Sequence, residues 1–157
     1  MRIRRILPDE YDIFKQTRLT ALKTDPQAFG STFEHSLERT EESWIDQAES
    51  CVSGRERATF FAGEDDIVVG MASIYQTEPD STSGELIQMW VSPQYRGKAV
   101  SSAIIQVLLD WAETEGYEQI IAEVRSSNKR ALRFYEKMGF LINRREDESV
   151  FMYIILS

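Results

Sequence analysis

Residues 91–99 read Val-Ser-Pro-Gln-Tyr-Arg-Gly-Lys-Ala and join a β-rich apolar run to a long stretch of helical period. A strand that passes through a short loop into a helix aims several unpaired backbone N–H groups, with the positive end of the helix dipole, at one point. A pyrophosphate suits such a point. Gly97 lets a ligand approach the backbone, Ala99 has almost no side chain to obstruct it, and Arg96 and Lys98 add cationic donors to an acidic chain. Neither the Gly-x-x-x-x-Gly-Lys-Ser/Thr loop nor a Gly-x-Gly-x-x-Gly after a strand is present, which counts against ATP and dinucleotide enzymes. A glycine between strand and helix also serves as a plain turn, so the loop alone leaves both readings open.

Two carboxylates stand in strand-like runs of apolar character, Glu85 and Glu123. Desolvation in such a setting raises a carboxyl pKa toward neutrality and makes either one a candidate general base; an outward-facing strand carboxylate is the alternative. Tyr135 stands beside Phe134, where spacing alone allows a plain helix-face aromatic. His35 and Cys51 are the only histidine and the only cysteine, hence the one possible thiol–imidazole pair. Both fall in a polar stretch with no glycine-framed elbow or helix start to activate a thiolate. Those two counts also remove zinc sites built from Cys and His, and no metal is expected.

The elements that must position these groups follow from periodicity. Residues 2–6 read as an edge strand, and after Pro8 the residues Tyr11, Phe14, Leu19 and Leu22 keep helical spacing until Asp25-Pro26. A second helix starts at Thr40, a capping residue followed by Glu41 and Glu42, while residues 28–33 fit neither helix nor strand cleanly. Residues 59–62 and 67–75 form an antiparallel hairpin about residues 63–66, and a third run covers residues 85–91. Val100, Ile104, Val107, Leu108, Trp111 and Ala112 mark one face of a helix ending near Gly116. A strand over residues 120–124, a helix over residues 129–138 stopped by Gly139, and strands over residues 140–144 and 150–156 complete the order β-α-α-β-β-β-α-β-α-β-β. With 157 residues, 42% of them hydrophobic, and no linker or repeat, the chain reads as a single domain over residues 1–157.

Three motifs carry a resemblance. Gln94, Gly97 and Ala99 meet the pattern Gln/Arg-x-x-Gly-x-Gly/Ala just after Trp-Val-Ser-Pro at residues 90–93. Residues 128–140 carry Asn-x-x-Ala-x-x-Phe-Tyr-Glu-Lys-x-Gly-Phe, which is longer and more specific. Residues 25–32, Asp-Pro-Gln-Ala-Phe-Gly-Ser-Thr, are similar to a segment of many small bacterial proteins of one kind. On these motifs the chain resembles the GNAT superfamily of acetyl-CoA-dependent N-acetyltransferases, as a small bacterial single-domain member.

The resemblance implies an α/β (α+β) fold with a mixed, mostly antiparallel central sheet flanked by helices. Its fourth and fifth strands would run parallel and then splay, with the pantetheine arm hydrogen-bonded to the backbone of Met89 and Val91. The N–H groups of Tyr95, Arg96, Gly97, Lys98, Ala99, Val100 and Ser101 would hold the pyrophosphate, and Asn128 would hydrogen-bond the cofactor. Ser101 stands where many members carry glycine or alanine. Tyr135 resembles the tyrosine that protonates or hydrogen-bonds the departing thiolate, a role suited to a phenol. Glu123 is the first expectation for the base, because Glu-Val-Arg followed by Asn128 and Tyr135 is similar to ribosomal-protein alanine N-acetyltransferases; Glu85 would then line the acceptor entrance. Many members work through a water chain, so a dedicated base stays open. Phe29 and Phe33 lie in the segment that covers the acceptor pocket in this family and are expected to shape it.

The expected function is acetyl transfer from acetyl-CoA to a primary amine of a small molecule or peptide, by direct attack in a ternary complex. An acyl-CoA-binding sensor without turnover is the alternative, against which the presence of Asn128 and Tyr135 speaks. A net charge of −8 disfavours nucleic acid and anionic membrane surfaces and favours a cationic acceptor. The absence of a signal-like or membrane-length apolar run leads to the expectation of a cytoplasmic protein. The apolar residues 151–156 offer a strand that could pair across a homodimer.

Overall fold

The computed structural model describes residues 1–64 and 66–156; Asp65, in the expected hairpin turn, lies outside them. Seven strands form one sheet: β1 (Arg2–Arg5), β2 (Arg57–Glu64), β3 (Ile67–Gln76), β4 (Ser83–Val91), β5 (Gln119–Arg125), β6 (Leu141–Glu146) and β7 (Ser149–Ile155). Their order across the sheet is β1-β2-β3-β4-β5-β7-β6. Every neighbouring pair is antiparallel except β4 and β5. That parallel pair needs a crossover, which α4 (Val100–Thr114) supplies.

Period-two alternation along the strands builds two cores. On one face Phe60, Ala72, Leu86, Ile120, Ala122 and Met152 meet the α4 residues Ile104, Ile105, Leu108 and Ala112, together with Leu132 and Tyr135 of α5 (Lys129–Lys137). On the other face Phe61 and Met71 pack under α1 (Tyr11–Thr24) and α3 (Glu41–Ser50), where Phe14 and Trp44 meet edge to face at 5.9 Å. On the first face α5 packs over β5 and β7, and β6 stays exposed.

Thr40 caps α3 as expected, its hydroxyl accepting the Ser43 N–H at 3.1 Å. A helix that periodicity does not reveal, α2 (Phe33–Leu37), lies between α1 and α3. Five residues are too few to show a repeat; the cap fixes it, with the Thr32 hydroxyl accepting the His35 N–H at 3.1 Å. The order thus gains one helix over the expected one. Gly139 ends α5 in the left-handed conformation, φ +101°.

The expectation for the C-terminal strand needs correction. β7 is interior to the sheet, paired with β5 along its length and with β6 from Ser149 to Tyr153. Its ladder groups are already used, so residues 151–156 offer no continuous edge for a second copy. The edge strand on that side is β6, exposed throughout. Among the described residues no helix is long and apolar enough to cross a membrane.

Candidate functional site

The sheet opens where its parallel pair ends. β4 and β5 are paired from Ser83–Gln119 to Leu86–Ala122, yet β4 continues to Val91 and β5 to Arg125. The cause lies in β4. Gln88 has φ +57°, and the register on β3 slips so that Ser73 faces Ile87 while Met71 faces Trp90. An extra residue in one strand of a pair bends that strand and breaks its ladder. Backbone groups beyond Leu86, those of Met89 among them, are left without a β5 partner and are available to a ligand. The Val91 carbonyl is committed within the chain, accepting from Arg96 Nε at 2.9 Å.

The gap leads straight to the N-terminus of α4. After a tight turn at Pro93–Tyr95, Gly97 and Ala99 both take positive φ, +76° and +66°. These two left-handed residues fold the chain back on itself, and the first helical bond, of 3.1 Å, runs from the Ala103 N–H to the carbonyl of Ala99 itself. The N–H groups of Val100, Ser101 and Ser102 precede any intrahelical acceptor. A Cβ built on Gly97 would meet nothing within 4 Å, so open space lies in front of the loop. Tyr95 packs against the core, Lys98 Nζ stands 5.7 Å from its ring, and Ser101 is half-buried.

Arg96 has a job inside the chain. Its NH2 donates to Asp25 Oδ2 at 2.6 Å, and the same oxygen accepts from Trp90 Nε1 at 2.8 Å. Asp25 thus ties the end of α1 to both sides of the loop. The charge of Arg96 holds the loop in shape, whereas the sequence suggests a phosphate donor.

Tyr135 lies on α5, and Asn128 is its N-cap, just after β5. Tyr135 is 7% exposed, packed edge to face with Phe134 and Phe140 at 5.2 Å each. Burial alone drives its phenol pKa well above the ordinary value, with no charge or hydrogen bond contributing. Asn128 caps α5, its Oδ1 accepting the Ala131 N–H at 3.1 Å, which leaves the amide NH2 to donate elsewhere.

The two carboxylates differ in setting. Glu85 is half-buried and faces Tyr75 across the β3–β4 ladder. Desolvation raises its pKa, the Tyr75 hydroxyl bond opposes this, and the nearby Glu123 adds to the rise. Glu123 is exposed, and its Oε2 accepts from Ser149 Oγ at 2.7 Å. Tyr75, Glu85 and Glu123 thus lie together on adjacent strands. Phe29 and Phe33 bracket the turn between α1 and α2, both half-buried. Cys51 is buried at the end of α3 against Ser50 Oγ at 3.8 Å, while His35 is exposed on α2.

Residues 18–140 match the Acetyltransferase (GNAT) family. The chain belongs to this family. A GNAT acetyltransferase from Streptococcus pneumoniae shares its fold at a TM-score of 0.82 and 18% identity, over 99% of both chains. The PaiA N-acetyltransferase of Thermoplasma acidophilum, solved in complex with coenzyme A, aligns at a TM-score of 0.76 with 15% identity, covering 99% of this chain and 98% of that one. In sequence, N-alpha-acetyltransferase 30 of Schizosaccharomyces pombe is 27% identical over 84 residues, 52% of this chain and 56% of that protein. The chain spans between 23% and 56% of the length of the first curated relatives that it matches.

In this GNAT chain three residues of the site region escape sequence reasoning. Gln88 makes the bulge, and a non-glycine at positive φ leaves no mark in a sequence. Asp25 reads as a helix stop and proves to be a clamp. Tyr75 reads as core; the alternation of a hairpin whose third strand begins at Ser83 could have set it opposite Glu85.

Proposed function

We propose that the chain transfers the acetyl group of acetyl-CoA to a primary amine by direct attack within a ternary complex. The observation that carries this reading is the β4–β5 pairing that stops at Leu86 and Ala122 and opens onto the uncapped N-terminus of α4. Family membership and a structural relative solved with coenzyme A support it.

The residues present fit such a ligand. Open space lies before Gly97, N–H groups of the first turn of α4 lack helical acceptors, and β4 is free of its neighbour past Leu86. Acetyl-CoA, when bound, supplies an activated acyl thioester. Residues 95–101 would hold its pyrophosphate through backbone N–H groups, and Met89, Val91 and Asn128 its pantetheine arm. The N–H groups that the bulge frees on β4 would polarise an acyl carbonyl. Tyr135 holds a proton throughout the working pH range and would give it to the thiolate. Glu85, rather than the exposed Glu123, would take the proton of the attacking amine, because its raised pKa moves it toward neutrality. Glu123 adds negative charge that draws the protonated amine inward.

Calorimetry of the purified chain with acetyl-CoA, ATP and NAD, followed by thiol release across an amine panel, tests the proposal. Binding of acetyl-CoA alone with thiol release for some amine is the expected result. Absence of acetyl-CoA binding overturns it, and binding without release for any amine favours a sensor.

A further inference from the structure

Arg18 stands on the inner side of α1, only 7% exposed, with its guanidinium 4.6 Å from the centre of the Phe29 ring. Its NH1 is buried and has no hydrogen-bond partner among the described residues. Among the described residues no carboxylate pairs with it. Burial pushes its pKa down to about 10, and the one charge that contributes is another cation, Arg39. Arg39 in turn lies 3.9 Å above the Trp44 ring and is held by Ser43 through its hydroxyl at 3.0 Å and its carbonyl at 3.1 Å. Trp44 Nε1 is a second buried donor without an acceptor among the described residues.

The cluster therefore has donors and positive charge and lacks an anion. A buried guanidinium is costly unless paired and hydrogen-bonded. Counterions are not scarce in this chain, which carries 26 Asp and Glu residues. Glu34, Glu38, Glu41 and Glu42 surround Arg39 in sequence, and all four are exposed. Two arginines are kept together, beneath the α1–α2 segment, without any of them. Above the cluster sits Phe29, followed by Gly30, Ser31 and Thr32, all exposed, and a Cβ at Gly30 would touch nothing within 4 Å. The chain beside Phe29 is thus exposed and loosely surrounded at Gly30.

We propose that Arg18, backed by Arg39, binds a carboxylate carried by the amine acceptor, entering as Phe29 moves away. The acceptor is then an amine of amino-acid or peptide type, with its carboxylate at Arg18 and its amine directed to the acidic pair Glu85 and Glu123. A guanidinium fork matches a planar carboxylate, and charge-assisted bonds of this kind are the strong ones. A polyamine has nothing to offer there. This assignment of substrate class rests on the acetyltransferase reading, but the site itself does not.

The test uses the full chain and matched acceptor pairs, each amino acid or dipeptide beside its carboxamide. In thiol-release assays the wild type favours the free carboxylate roughly tenfold or more in kcat/KM, with the difference in KM. Arg18→Met brings that ratio close to one, and Arg18→Lys recovers part of it. In parallel, thermal unfolding is followed with N-acetyl amino acids and their amides; the acids raise the wild-type Tm and leave that of Arg18→Met unchanged. Arg18→Gln serves for both readouts if the methionine variant does not fold. If no amine releases thiol while the acids still stabilise the wild type through Arg18, the transferase reading fails and the carboxylate site stands. A wild type with neither carboxylate preference nor acid-specific stabilisation overturns the site, as does a preference that survives loss of Arg18.

Discussion

A phenol buried between two aromatic rings keeps its proton, and that property suits Tyr135 to meet a thiolate. Tyr135→Phe removes one oxygen and keeps the packing, so the fold survives it. In steady-state kinetics kcat falls about 100-fold, while calorimetry shows acetyl-CoA affinity unchanged. Glu85 gives a pH signature. Its folded pKa lies above the ordinary carboxylate value, so between the two values the native state holds more protons than the unfolded chain. Stability therefore falls as pH rises through that window. Glu85→Gln loses this dependence, and its Tm relative to wild type is higher at pH 7 than at pH 4; its kcat/KM also loses the acidic limb that the base gives the wild type. A Tm difference equal at both pH values would refute the shift. Tyr135 and Asn128 are legible in the sequence because their motif is contiguous, within one short helix and its cap. Arg18 and Gln88 are not, because burial without a partner and positive φ are properties of the tertiary structure.

At the scale of elements, the strand-to-helix loop is set by two left-handed residues, and one of them carries a Cβ. Ala99 at φ +66° bears a steric cost that glycine does not. Ala99→Gly stabilises the chain by about 1 kcal/mol, a Tm rise of roughly 2–4 °C at this length, with acetyl-CoA affinity retained. Calorimetry and thermal unfolding check both halves; a lower Tm would mean that the alanine methyl makes a contact worth more than the strain. The strands were legible through alternation and the long helices through their apolar faces, α4 above all. The short α2 was not, since its existence depends on one hydroxyl cap and on packing against α1. The β4 bulge was equally hidden, although residues 85–91 read plainly as strand: periodicity reports which face a residue takes, not where a ladder breaks.

The whole molecule is a sheet joined at its weakest seam. β1 to β4 form one antiparallel set and β5, β7 and β6 another, joined by the short parallel pairing near Ser83 and Gln119, by the α4 crossover and by the core that both share. The element order was readable from periodicity, whereas the parallel pair at its centre was expected only from the resemblance to the GNAT superfamily, because spacing does not say which strands lie side by side. A ligand lying in the gap, with its pyrophosphate on the loop before α4, touches both sets and binds the folded chain alone. Such a ligand stabilises by mass action, by about 2.7 kcal/mol at a hundredfold excess over Kd. Acetyl-CoA at that excess then raises Tm by roughly 5–11 °C in thermal unfolding. Gly97→Glu places a carboxylate where the loop has open space, so the apo chain still folds, with only the strain of a side chain at φ +76°. Repulsion between that carboxylate and the pyrophosphate abolishes the rise. A Gly97→Glu chain that unfolds normally and is still stabilised by acetyl-CoA to the wild-type extent would move the pyrophosphate away from this loop.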